Sequence, residues 1–540
     1  MRRRMALTLG AAGAAALMSG CIPLQPLEDP PQRPDRTDAT PGARPFREGG
    51  HLVMALSSEP DKLDPTTSSS LYTRYVMQTM CEKLYDISAE GEIVPMLAAA
   101  LPEISADGLT VEIALREGVT FSDATPFDAE AVRITLERHL TLEGSARVGE
   151  LGPITAVEAV EPLRVRVTFE SPFAPFTAAL ADRAGMIMSP TALEERGEDF
   201  GNHPVGVGAF RFVRRVPQTS IEVEADPLYY DAENVHLDRI TYRIMSDANI
   251  RAANIQSGDV HVADTISPQD IETLEAAAQV RTLQVGSLGY QGLTINMGHV
   301  PEGQEPPTTP LATDARVRRA LSLAVDREAL VNTVFNGWYT AAGSPISPDS
   351  PFATEASSSL PAHDPQAARA LLEEAGAPIP YPVRVTVTNT QDSLRYAQAL
   401  QAQVKDSGFA LEILPMEYTA VLDAQDRGDF EAVLLGWSGR VDPHGNMYSF
   451  WSTGGGNNYP GLSDPEIDAL LVEAAQATDP AARAEIYGEA VTRMQEIDAF
   501  VYLYRQRSLT AHREDVAGLS VYADGVVHLS HAGFLDGDDS

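Results

Sequence analysis

The chain has 540 residues, 44% hydrophobic and 21% charged, enough to bury a large core and to divide into two or three domains. Its formal net charge of −36, with Lys62, Lys83 and Lys405 as the lysines, repels phosphate backbones and anionic head groups and excludes nucleic acid as a partner. With Cys21 and Cys81 the two cysteines, and Cys81 lacking a mate in the folded body, no disulfide is expected to support the fold.

In chain order, Arg2-Arg3-Arg4 is a positive n-region, Met5 to Leu17 an apolar h-region, and Met18-Ser19-Gly20 a run of small residues before Cys21. The apolar run is well short of the ~20 residues that a membrane span needs. The pattern resembles a bacterial lipobox, which implies that Cys21 is diacylated and becomes the first mature residue. The arginine triplet also admits twin-arginine export. Residues 22–46 hold seven prolines among polar residues and read as a tether between that anchor and the body.

The body opens with a strand at His51 to Ser57, a loop through Pro65, and a helix from about Leu71 to Tyr85 whose buried face takes in Cys81. Strand alternation recurs at Thr110 to Leu115 and Arg164 to Phe169, with Asp128 as N-cap of a helix over Ala129 to Leu140. Gly206 and Gly208 mark a tight turn before a strand, since no helix opens after them as a dinucleotide fingerprint requires. Further strands lie at Ser220 to Glu224 and Leu237 to Met245, and a helix runs from Asp247 to about Gly258.

After a strand at Tyr290 to Met297 and a Pro- and Gly-rich loop, Asp314 opens a helix over Ala315 to Phe335. Asp364-Pro365, Asp464-Pro465 and Asp479-Pro480 each pair an N-cap with Pro at the first helical position. Strands at Val383 to Val387, Leu411 to Leu414 and Phe430 to Leu435 alternate with these helices, which predicts a second α/β domain with a substantially parallel sheet. Strands at Phe500 to Tyr504 and Ser508 to Ala511 close the chain.

The stretch Gly436-Trp437-Ser438-Gly439-Arg440-Val441-Asp442-Pro443 follows a buried-strand pattern, where open α/β sheets hold ligands. It offers an indole, a hydroxyl, a guanidinium and a carboxylate; the alternative is a surface turn with Trp437 folded onto the core. Enzyme signatures fail: Arg440 stands where a Gly-x-Ser-x-Gly elbow needs its last glycine, and no Ser-x-x-Lys or His-Glu-x-x-His occurs. The histidines are scattered, with His528 and His531 a surface pair, so no metal and no cofactor is expected.

Several stretches together resemble the extracytoplasmic solute-binding proteins of peptide, opine and nickel importers. They are Ser57 to Pro65, Phe121 to Val132, Asn202 to Phe210, Asp314 to Leu321 with Val325 to Glu328, Asp364 to Gly376, and the Gly-Trp stretch. The resemblance implies an α/β, two-lobed type II clamp with an extra subdomain. Lobe I would comprise 46–287 plus 507–540, with the subdomain at about 76–202, and lobe II 288–506, hinged near Gly286-Gly289 and Tyr504-Gln506. It implies a monomer that captures a peptide-like or opine-like small molecule or short peptide and delivers it to the permease subunits of an ABC importer. Ser69, Ser70 and Tyr72 would face Trp437, Ser438, Asn458 and Tyr459 across the cleft.

In peptide-binding relatives an Asp after the Gly-Trp strand pairs with the ligand's ammonium; here that position is Arg440, with Asp442 two residues on. Either Asp442 takes the amine and Arg440 a carboxylate, or the ligand is anionic, or Arg440 is a structural ion pair. Two rival readings are a lipid-anchored hydrolase using carboxylates and a peptide-binding receptor or chaperone of the same fold.

Overall fold

The computed structural model describes residues 33–301 and 303–537; the signal segment and Cys21 lie outside the described residues. From Leu52 onward the central strand His51–Leu56 is apolar and buried, as a strand covered on both faces requires. It sits in a seven-stranded sheet, parallel to Arg239–Ile244 on one side and Val262–Ala263 on the other, with Phe210–Val216, Ser220–Ala225, Arg507–Arg513 and Val280–Gly286 completing the order. A second, six-stranded sheet contains Thr340–Ala341, Phe500–Arg505, Tyr290–Ile295, Ala432–Trp437, Tyr381–Thr388 and Phe409–Met416 in that order. These sheets are the cores of two lobes. The chain passes between them twice, through Ser287–Gly289 after Val280–Gly286 and through Gln506 after Phe500–Arg505. A four-stranded antiparallel sheet built on Thr110–Ala114, Ile154–Glu161 and Arg164–Phe169, with helix Ala129–Thr141 beside it, forms a separate layer.

The Asp-Pro helices form where expected. Asp364 and Asp464 each accept from two backbone N–H groups and Asp479 from one, and each helix begins at the following proline, whose missing N–H leaves no donor unpaired.

Five expectations need correction. The second sheet is mixed: Tyr381–Thr388 runs parallel to both Phe409–Met416 and Ala432–Trp437, but the remaining pairings are antiparallel. The helix expected over 315–335 is two, Ala315–Leu323 and Arg327–Phe335, because the Asp326 carboxylate caps the second by accepting from Ala329 N–H at 2.9 Å. The helix from Leu71 ends at Met77, and Tyr85–Ile87 is a strand, so Cys81 is buried in the intervening turn.

Gly206 and Gly208 do precede the strand Phe210–Val216, yet neither has a positive φ; they let this segment lie against that turn. A Cβ on Gly206 would stand 2.6 Å from Met80 O, and one on Gly208 2.5 Å from Thr79 O. Finally, the described part of the expected tether is fastened to the first lobe. Arg36 bridges Gln284, Asp38–Ala39 pairs with Leu519–Val521, and Phe46–Arg47 pairs with Gly533–Leu535, because these residues satisfy backbone groups at free sheet edges.

A cleft at the carboxyl ends of three strands: candidate functional site

The three parallel neighbours of the second sheet, Tyr381–Thr388, Phe409–Met416 and Ala432–Trp437, share a direction, so their carboxyl ends open on one side. A cavity of about 170 Å³ lies there. Thr388, Asp392, Ser393, Tyr418, Trp437 and Ser438 form its wall from the second lobe, and Ser57, Ser58, Ser69, Tyr72 and Thr265 its wall from the first. Gln291 and Gln506, beside the two crossings, also line it, as do Arg251 and Tyr339, and recesses of about 50 and 40 Å³ flank it.

Of the residues singled out from the sequence, Ser69, Tyr72, Trp437 and Ser438 line the cavity together, and Tyr459 lines the smaller recess. The Tyr72 ring meets Tyr418 edge-on at 5.3 Å across the two lobes, and its hydroxyl lies 2.9 Å from Ser57 Oγ. Burial and the Asp264 carboxylate push the Tyr72 phenol up to about 12, so it stays a neutral donor. Trp437 is the expected indole at the strand end; its Nε1 is buried without a protein partner.

Ser70 is fully buried behind the wall. Its side chain caps helix Leu71–Met77 by accepting from Tyr72 N–H at 3.1 Å. Asn458 is likewise internal, donating to Ser452 O and Leu462 O and accepting from Leu462 N–H, which fixes the loop that presents Tyr459. Asp442 faces away from the cavity: Arg483 Nη2 donates to both its oxygens at 2.9 Å. An Asp held this way is committed inside the second lobe and is a poor partner for a ligand ammonium.

Arg440 lies at the junction of the lobes. Its Nε meets Asp182 Oδ2 at 2.9 Å, its Nη1 donates to Gly439 O at 2.8 Å, and its guanidinium lies 4.2 Å from the Trp437 ring centre. The same Asp182 oxygen receives Arg74 Nη2 at 2.9 Å, and Arg74 also pairs with Asp524 at 2.6 Å. Burial pushes the Asp182 carboxyl up, but the guanidiniums of Arg440, Arg74 and Arg183 outweigh it and hold the group far below its ordinary value. Burial lowers Arg440 to about 10, still a cation at neutral pH. Beside this cluster, Ala174 N–H donates to Ala475 O at 2.8 Å and the Phe173 ring meets His444 at 5.2 Å, so segments distant in the chain are in contact.

The Gly-Trp loop also touches a crossing segment directly. Gly439 has φ +90°, and a Cβ there would stand 2.4 Å from Gly289 N; a Cβ on Gly289 would stand 2.2 Å from Trp437 O.

Sequence reasoning missed Thr388, Asp392, Ser393 and Tyr418. Thr388 ends one strand, and Tyr418 begins the helix after another, so the carboxyl-end rule that selected the Gly-Trp stretch points to them as well. Gln291 and Tyr339 carried no comparable signal. Among the described residues no group of three or more His, Cys, Asp or Glu could hold a metal ion, and no helix is long and apolar enough to cross a membrane.

The profile of the bacterial extracellular solute-binding proteins, family 5 Middle, matches residues 92–459. The chain is 27% identical over 515 residues to the glutathione-binding protein GsiB of Pectobacterium atrosepticum, covering 91% of this chain and 95% of that protein. Its fold is similar to the binding protein AgaA of A. tumefaciens R10 in complex with agropinic acid, with TM-score 0.80 and 25% identity over 91% of this chain and 99% of that one. It is similar also to DppA of Helicobacter pylori in complex with peptide STSA, with TM-score 0.81 and 22% identity over 91% and 99%. The chain belongs to family 5 of the bacterial extracellular solute-binding proteins, the solute-binding components of ABC importers, and its two-lobed α/β architecture is theirs.

Proposed function

We propose that this family 5 protein captures a peptide-like or opine-like solute in the cleft and presents the closed, loaded form to the importer's permease subunits. Lobe I is residues 46–287 with 507–540, including a subdomain at about 76–202, and lobe II is 288–506. Ser69, Tyr72, Trp437, Ser438 and Tyr459 touch the solute, while Ser70, Asp442 and Asn458 hold the walls. Arg440 acts in closure, pairing with Asp182 of the opposite lobe. Cys21 anchors a monomer to the membrane through lipid.

The observation that carries this reading is a cavity with walls from both lobes, set at the carboxyl ends of parallel strands and bordered by a buried ion pair between the lobes. Relatives whose ligands are glutathione, agropinic acid and a tetrapeptide support a small solute with polar groups. A non-catalytic role is supported by relatives that are binding proteins, and the carboxylates at and behind the cleft wall carry hydrogen-bond partners. Asp264 accepts from Ser57 N–H and Oγ at 2.8 Å, and Asp392 accepts from Ser267 and Arg395.

Isothermal titration against dipeptides, opines and glutathione, with small-angle scattering of free and loaded protein, tests the reading. Saturable one-to-one binding with a smaller radius of gyration is expected. Turnover of a bound compound would favour a hydrolase, and the absence of binding by every class would overturn capture.

A further inference from the structure

The subdomain meets the second lobe along a seam separate from the solute cleft. A small cavity of about 30 Å³, room for about one water molecule, lies in it, with Glu150, Pro175 and Ala178 on the subdomain side and Arg440, His444 and Tyr448 on the other. Ala174 N–H donates to Ala475 O across the same junction at 2.8 Å. His444 is 3% exposed there. The Phe173 ring meets it edge-on at 5.2 Å from the subdomain, and Tyr448 of its own helix stacks on it at 4.6 Å.

Neither ring nitrogen of His444 has a hydrogen-bond partner. A neutral imidazole leaves one donor and one acceptor unsatisfied, whereas an imidazolium would bury two unpaired donors and a charge. The groups around the ring give that charge no free counter-ion. Both oxygens of Asp442 receive Arg483 Nη2 at 2.9 Å, and Asp442 Oδ1 also takes the backbone N–H of His444 at 3.0 Å. Glu150 receives Arg147 Nη1 on both oxygens at 2.7 Å, and Asp182 is shared by Arg440 and Arg74. Each carboxylate therefore arrives with its own guanidinium. Helix His444–Trp451 adds its positive N-terminal end at the ring itself. Burial first, and then Arg483, lower the imidazole to about 3 in this closed arrangement. Parting the seam takes away Phe173 and the subdomain wall and returns His444 to water, where an imidazole titrates near its ordinary value of about 6.5.

We propose that His444 makes closure of the clamp proton-sensitive: the subdomain packs on it only as the neutral imidazole, so its protonation in the open form opposes closure, and acid releases the solute. This rests on the reading above that the lobes close on the solute. The value is depressed in the closed form, so the contribution to closure is whole above about 6.5 and is lost as pH falls from there toward 3. Closure, and the affinity that depends on it, should be about 4-fold weaker at pH 6 and about 30-fold weaker at pH 5 than at pH 8.

The test reads His444 directly and needs no solute. Ala174→Cys and Ala475→Cys, combined where the two backbones share a hydrogen bond, are oxidised at pH 8 to lock the seam shut. The full-length protein in detergent, with carbon-labelled histidine rings, is then titrated by NMR in the oxidised and the reduced form, and His444→Phe in the same background identifies the signal. The reduced form is expected to titrate at His444 between about pH 5 and 6.5, and the oxidised form at least about 1.5 pH units lower. A smaller difference overturns the proposal: two high midpoints mean that the closed seam admits the proton, and two low ones that acid does not open it. Failure of the cysteine pair to cross-link removes the seam and overturns it as well. None of these results bears on solute capture, which the binding titrations above decide, and the proton linkage would stand even if every compound tested there failed to bind.

Discussion

Arg440→Met removes one guanidinium from Asp182 and leaves Arg74 on the same carboxylate oxygen, so its cost is one charged hydrogen bond, about 1.5–3 kcal/mol. Arg440 follows a strand of the six-stranded sheet and Asp182 lies beyond the four-stranded layer on the other side of the cleft, so the loss falls on the closed form alone. That is a roughly 10- to 150-fold shift toward the open form, and the apparent Kd rises by the same factor where the closed form is the one that holds ligand. Asp182→Asn is more severe, about 3–5 kcal/mol, because three buried guanidiniums, Arg440, Arg74 and Arg183, then face an amide. The assay is a double-mutant cycle of Arg440→Met and Asp182→Asn read by isothermal titration, with a ligand in its acid form and again as its amide. Closure by the ion pair predicts equal losses for both ligands and a coupling above ~1 kcal/mol. A loss confined to the acid would make Arg440 a ligand contact, and a coupling below ~0.5 kcal/mol would refute the latch. Because the Asp182 pKa is depressed, its contribution is present above the unfolded value of about 3.9 and lost only as pH falls through the lower folded value, so affinity should carry no Asp182 titration between about pH 5 and 8.

Asp442→Asn should lower stability by about 3–5 kcal/mol through the stranded Arg483, visible as a lower denaturation midpoint, while ligand affinity of the folded protein stays within twofold. Glu82 is pushed up to about 7 by burial against the opposing hydrogen bonds from Tyr229 and Tyr230. A raised carboxyl favours the fold below its unfolded value of about 4.3 and loses that advantage as pH rises through 7. Glu82→Gln should therefore gain on wild type by on the order of 2 kcal/mol between pH 5 and pH 8 in denaturant titrations; an equal difference at both would refute the assignment. Gly206→Ala places a Cβ 2.6 Å from Met80 O and 2.7 Å from Cys81 Sγ, and should cost about 1–3 kcal/mol by thermal or denaturant unfolding.

Local chemistry was the legible part of the fold. The Asp-Pro pairs named three helix starts because cap and first turn are adjacent in sequence. The break at Asp326 was hidden inside a continuous helical periodicity, although an Asp before Arg327 is itself a cap signal. Sheet direction was read too uniformly because apolar runs look alike in parallel and buried antiparallel strands, and Tyr290–Ile295 lies antiparallel between its neighbours. In the cleft, Trp437 and Ser438 were found from one strand end. Arg440's partner was out of reach of local reading, since Asp182 lies on a segment far away in the chain whose sequence gives no sign of facing it. The partner of Asp442 was hidden for the same reason: Arg483 sits 41 residues on, inside a helix that spacing alone places on a core face.

The contact between Gly289 and the Gly-Trp loop bears on how loading is reported outward. The segment Ser287–Gly289, which crosses between the two sheets, and the strand end that carries Trp437 abut backbone to backbone. Such a joint has almost no dead travel, since rotamer changes, the usual shock absorbers of a protein interior, are missing from it. A Cβ at either glycine would stand within 2.5 Å of the facing backbone, so the two segments can approach this closely only while both positions lack a side chain. Adding a methyl group at 289 or 439 would therefore push the crossing segment and the Gly-Trp loop apart, displacing the indole's own backbone without touching its side chain.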